Sequence, residues 1–254
     1  MQEAGSDSEE IADDTTAPLT SHLEELRKRL IISCWALLIG FLASYSFSRE
    51  IFDLLMLPLA RVMPEKSSII FTGLAEGFFT YIKVAFLSGL MVSSPVIFYQ
   101  AWSFISPGLY RSEKRYVLPF TFFSVLFFVG GAIFGYFLVF PFAFEFFMSF
   151  NTERITALPS MKEYLAFTTK LLIAFGVSFE LPIIIIFLNK LGLVTVKGLT
   201  KNRKYVLVGA FIVSAILTPP DVVTQVMMAL PLMILYEMGI IGARIFQKKN
   251  KIDQ

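Results

Sequence analysis

The chain has 254 residues, 56% of them hydrophobic and 17% charged, with a formal net charge of +2 at pH 7 and a mean hydropathy of +0.68. Such a mix excludes an ordinary soluble domain, and the near-neutral charge gives no reason to expect a nucleic-acid partner. One cysteine, Cys34, and one histidine, His22, exclude an intramolecular disulfide and a His/Cys metal cluster, so no metal or cofactor is expected.

In chain order, the leader MQEAGSDSEEIADDTT is acidic and poor in apolar residues, unlike a secretory signal peptide. Residues 1–18 are expected to form a disordered, solvated tail. The run SHLEELRKRL follows, with Glu24 four residues before Lys28 and Glu25 four before Arg29. His22 is expected to pack or cap where this helix enters the membrane.

Uncharged stretches then recur at lengths that suit a hydrocarbon core of about 30 Å, which takes roughly 20 helical residues to cross. The first three are Leu30 to Ser48, Val84 to Tyr110 and Tyr116 to Phe144. The fourth, Leu171 to Asn189, is interrupted only by Glu180, with Pro182 favouring a kink just after it. The segment Tyr205 to Ala243 is too long for one helix, and Thr218, Pro219, Pro220 and Asp221 divide it into spans five and six. Span five, Val206 to Leu217, then measures only about 18 Å at the usual helical rise.

The expected fold is therefore an all-α membrane protein with six transmembrane helices in residues 19–246, short fifth and sixth spans, and a basic tail in 247–254. Six spans put both termini on one side, which carries fifteen of the 22 Lys and Arg residues and is expected to be cytoplasmic. The two longer polar stretches, about Arg49 to Lys83 and Glu145 to Lys170, are too short for a soluble core. They are expected to be extracytoplasmic caps with short helices; the first, carrying Pro58 and Pro64, either lies along the interface or against the spans or is a plain loop.

Several ionisable groups stand at membrane depth or at its edges. Glu180 is expensive there, so it either faces a cavity, partner helix or proton path, or is hydrogen-bonded to a neighbouring span. Glu237 is expected to snorkel or to pair with Arg244. Thr218, Asp221 and Gln225 make a polar corner beside the short span. Its residues could hold a partner's side chain, or serve as an N-cap and an interhelical bond. Glu25 and Glu113 both lie among Arg and Lys on the cytoplasmic side. They read either as surface ion pairs of about 0.3–0.5 kcal/mol or as two receptors for arginine guanidinium groups.

Four stretches, SHLEELRKRL, SFISPGLYRSEKR, FGVSFELP and LVGAFIVSAILTPPDVVTQ, in this order, resemble the TatC family, the multi-spanning receptor subunit of the twin-arginine protein translocase. The resemblance implies that Glu25 and Glu113 bind the consecutive arginines of a signal peptide, with Arg27, Phe104, Pro107, Leu109 and Arg115 shaping the site. It also implies a concave bundle capped near Pro58 on its outer face. Single-span TatA and TatB subunits would dock around spans five and six, Glu180, Thr218 and Gln225. Folded cargo would be carried at the expense of the proton-motive force, in keeping with the absence of a phosphate-binding glycine loop. A bacterial inner membrane is expected rather than a thylakoid, since no Arg- and Ser-rich leader is seen.

Two other classes fit less well. A proton-coupled secondary transporter using Glu180 should show an inverted repeat, and the two halves share no evident similarity. An intramembrane enzyme would need a nucleophile and base, or a metal pair, at depth, and neither is present in the sequence, so no enzymatic activity is expected.

Overall fold

The computed structural model describes residues 6–63, 69–105, 117–152, 158–218 and 221–250, with side chains described from Thr20 to Phe246 within them. The described residues are helical apart from short connections, in which Ile70 and Ser160 form an isolated parallel bridge. In chain order the helices are α1 (Ser6–Tyr45), α2 (Ser48–Ala60), α3 (Glu76–Ile105) and α4 (Val117–Phe134). A π-helical turn, Gly135–Val139, joins α4 to α5 (Phe140–Met148). Then follow α6 (Met161–Phe179), α7 (Leu181–Lys190), α8 (Val196–Lys201), α9 (Arg203–Leu217) and α10 (Val222–Asn250). Helix α1 begins at Ser6.

Among the described residues, four stretches are long and apolar enough to cross a membrane: α3, the α4–α5 run, the α6–α7 run, and Val222–Phe246 of α10. The pair formed by Thr20–Tyr45 and α2 meets the same test when taken together, with a bend of 83° between its halves. Helix α9 has 15 residues, about 22 Å at the usual rise, and is indeed short. The sixth predicted span, by contrast, is not short. Helix α10 has 29 residues, because nothing between Val222 and Asn250 stops it and its one internal proline, Pro231, leaves it unbroken.

The closest-packed pairs are α1 with α3, α3 with α4, α4 with α6, α7 with α10, and α10 with α9. This makes a row with α1 and α9 as its end members. Glycines set the spacing, since lipid supplies no hydrophobic drive between helices and small residues let their backbones meet. A Cβ on Gly40 would lie 2.7 Å from the Gly89 carbonyl oxygen, and one on Gly131 would lie 2.5 Å from that of Phe175. Side chains such as Trp35, Phe122 and Ile216 are left exposed along the row, as lipid-facing residues should be.

The end of the row opposite Glu25 is closed by two polar devices. Glu76, in the first turn of α3, accepts from Thr72 N (2.6 Å), Thr72 Oγ1 (2.8 Å) and Gly73 N (3.0 Å) on Oε2. Its Oε1 accepts from Ser160 Oγ (3.0 Å) and Lys162 N (2.6 Å) at the start of α6. The carboxylate thus satisfies two backbone donors in the turn before α3 and one, Lys162 N, in the first turn of α6, where N–H groups have no partner inside the helix. The Ile70–Ser160 bridge lies beside it.

The second device answers Pro58, which lies inside α2 and removes the N–H that would bond the Leu54 carbonyl. Tyr136 Oη donates to that carbonyl at 2.5 Å, and Tyr164 Oη donates to the next one, Leu55. Tyr136 sits in the π-helical turn. Phe52, Leu55, Pro58 and Leu59 are the buried apolar side of α2, which therefore lies against the row rather than forming a plain loop.

Two outcomes follow. Glu76→Gln places an amide among donors, so amide hydrogen exchange at Thr72, Gly73 and Lys162 should quicken and the thermal midpoint should fall; unchanged exchange would remove the clasp. Tyr136→Phe should cost about 0.5–1.5 kcal/mol in the wild type. In a Pro58→Ala background the restored N–H serves Leu54, so a double-mutant cycle in mixed micelles should show most of that loss gone.

Candidate functional site

The first helix brings its charged turns to the end of α3. Arg29 donates from Nε (2.9 Å) and Nη2 (2.6 Å) to Glu25, both times to Oε1, and from Nη1 to Gln100 Oε1 of α3 at 3.2 Å. One turn earlier His22 stacks on Phe104, with ring centroids 4.4 Å apart and planes 19° from parallel. His22 is therefore a packing residue. Glu25 is half-buried with a fixed orientation, and its Oε2 has no donor among the described residues.

That pairing is the i,i+4 ion pair expected from spacing, and at 24% and 31% side-chain exposure it is worth only about 0.3–0.5 kcal/mol. It orients Glu25 without consuming it. Arg27 is exposed on the same helix and Phe104 is half-buried, so Glu25, Arg27 and Phe104 share this end of the α1–α3 pair. Glu113, Pro107, Leu109 and Arg115 lie outside the described residues, as do Pro219 and Pro220 at the other predicted corner.

Deeper in the row, Glu180 sits at the break between α6 and α7, where Pro182 cannot continue the hydrogen-bond ladder. It is 6% exposed. Trp102 Nε1 of α3 donates to Ser124 Oγ of α4 (2.9 Å), and Ser124 Oγ donates to Glu180 Oε2 (2.7 Å). The Trp102 ring is held by Phe120 and Phe187, with centroids 5.0 and 4.8 Å away. Glu180 Oε1 is buried with no hydrogen-bond partner among the described residues. The sequence reading found Glu180 from its depth; it missed Trp102 and Ser124, whose only signal is that they are polar atoms in apolar spans.

The α9–α10 corner is a separate network. Asp221 accepts from Thr224 N at 2.7 Å and from the Thr224 hydroxyl, which makes it the cap at the start of α10. Gln225 Nε2 donates to the Phe211 carbonyl across the corner (3.1 Å), and Thr218 Oγ1 donates to Ser214 O (2.8 Å). Asp221 and Gln225 therefore fill the capping and interhelical roles, and neither bonds to Glu180. Glu237 pairs with Arg203 of α9 at 2.6 Å rather than with Arg244, because α9 starts beside this turn of α10. Among the described residues no cluster of His, Cys, Asp and Glu could hold a metal ion.

Comparison with known proteins places this geometry. The family model for the Sec-independent protein translocase protein (TatC) matches residues 21–231. The TatC protein of Desulforapulum autotrophicum is 53% identical over 242 residues, covering 95% of this chain and 90% of the relative. That of Escherichia coli K12 is 42% identical over 238 residues, covering 94% and 92%. A crystal structure of a twin-arginine translocase receptor, TatC, superposes with a TM-score of 0.79 at 42% identity, over 88% of this chain and 98% of that one. The chain is a multi-pass membrane protein and a protein translocase component rather than an enzyme, and it belongs to the TatC family.

Proposed function

We propose that this chain is the receptor subunit of a twin-arginine translocase, reading the Arg-Arg pair of a signal peptide with Glu25 and Glu113 at the cytoplasmic face. The observation that carries the reading is Glu25, half-buried at the end of the α1–α3 pair that also carries Phe104, oriented by Arg29, which Gln100 holds in turn, and with one carboxylate oxygen lacking a donor among the described residues. A guanidinium can take that oxygen in a charge-assisted bond, and a second carboxylate at Glu113 would let the pair distinguish Arg-Arg from Lys-Lys. Arg27, Phe104, Pro107, Leu109 and Arg115 would shape the surroundings. The likeness to a solved protein described as a twin-arginine translocase receptor supports the assignment.

The same reading places six spans in a bacterial inner membrane with both termini in the cytoplasm. Helix α1 supplies the first span, with α2 bent away from it as part of the outer cap, and α9 supplies the fifth. Single-span TatA- and TatB-type subunits would dock on α9, α10 and the region of Glu180. Helix α9 offers an apolar surface for this, with Val208, Ile212 and Ile216 exposed and only Ala210 and Ser214 buried within it. Glu180 Oε1, Thr218 and Gln225 would add polar contacts. So small a bundle cannot enclose a folded protein. Its contribution to passage, driven by the proton-motive force, would be recruitment together with thinning of the bilayer around the short α9.

Binding of an Arg-Arg signal peptide and its Lys-Lys counterpart to the detergent-solubilised chain tests the receptor. Wild type should prefer Arg-Arg, and Glu25→Ala or Glu113→Ala should each weaken that peptide by roughly tenfold or more with the fold intact. Equal binding of both peptides to wild type would reject it. For docking, Glu180→Gln should leave peptide affinity unchanged while reducing co-purification of the single-span subunits; unaltered co-purification would remove Glu180 from that surface.

A further inference from the structure

We infer that the groove between α8 and the last turns of α10 binds the phosphodiester headgroup of an anionic membrane lipid. The groove is open, about 720 Å³, and is lined by Thr195, Val196, Lys197, Thr200, Lys201 and Arg244. Its three cations are exposed, and none is in an ion pair among the described residues, where the ion pairs closer than 4 Å are Arg29–Glu25 and Arg203–Glu237. No acidic side chain among the described residues lines it. Three like charges around one concavity repel one another, and an anion between them removes that cost.

The platform is built rather than loose. Thr195 caps α8 by accepting from Gly198 N at 3.1 Å, and Tyr236 Oη of α10 donates to the Leu199 carbonyl at 2.9 Å. Val196 and Leu199 pack on the buried cluster of Ile185, Tyr236, Ile240 and Ala243. Lys197 and Lys201, four residues apart, are thereby presented on one face of α8 toward Arg244 of α10.

Depth distinguishes a lipid from a soluble anion. Arg244 lies two residues before the end of the apolar stretch Val222–Phe246, the level at which a helix leaves hydrocarbon for headgroups. Ile241 and Ile245, on the same turns as Arg244, are 54% and 64% exposed, and Leu193 before α8 is 69% exposed. A phosphate on the cations would set its acyl chains along this apolar surface, which a free phosphate would leave unused.

Native mass spectrometry of the full chain, purified in detergent with equimolar phosphatidylglycerol and phosphatidylcholine, tests the site. Wild type should retain phosphatidylglycerol preferentially, and the triple variant K197Q/K201Q/R244Q should lower that retention roughly tenfold with an unchanged thermal midpoint. Variant R49Q/R61Q/K162Q, at the opposite end of the row, should behave as wild type. If the triple variant does not purify, the single variants K201Q and R244Q should each lower retention roughly threefold. Equal retention of both lipids, an equal loss in the opposite-end control, or displacement of the lipid by inorganic phosphate at millimolar concentration would each overturn the proposal.

Discussion

A backbone in hydrocarbon must find every hydrogen bond within the protein, because an unpaired group there costs several kcal/mol and no water is present to relieve it. That constraint makes the chain helical, and it also explains where the helices depart from regularity. Pro58 removes a donor inside α2, and a tyrosine from another helix supplies the replacement. Pro182 ends a ladder, and the break falls at Glu180. The π-helical turn places Tyr136 at the Leu54 carbonyl, so an irregularity in one helix balances a defect in another.

The long apolar helices were legible because apolar length is a property of a stretch of sequence. So was the shortness of α9, since the Thr218 to Asp221 turn bounds it locally. Glu180 stood out because a carboxylate in an apolar run has no local excuse. Glu25 was legible as half of an i,i+4 pair; that Gln100 and Phe104 gather around the same end of α1 was not, because this depends on how α1 crosses α3 at Gly40 and Gly89.

Three features lay beyond reach for a common physical reason. Glu76 looked like any polar residue at a loop, and its partners at Ser160 and Lys162 are 84 and 86 residues away. Tyr136 gave no sign that Pro58, in another helix, needed a donor. The length of α10 was underestimated because a basic helix end differs in solvation, not in helix propensity, from the apolar turns before it. Long-range pairing and helix extension past the membrane edge are not encoded in composition.

The clasp at Glu76 bears on how the protein is made. Thr72 and Gly73 lie just ahead of the carboxylate in the chain, but its other oxygen waits for donors that reach the membrane two spans later. Until then the ribosome has delivered an anion with two of its five donors missing, for which water is the better environment. Closure of this end is therefore a late event of biogenesis.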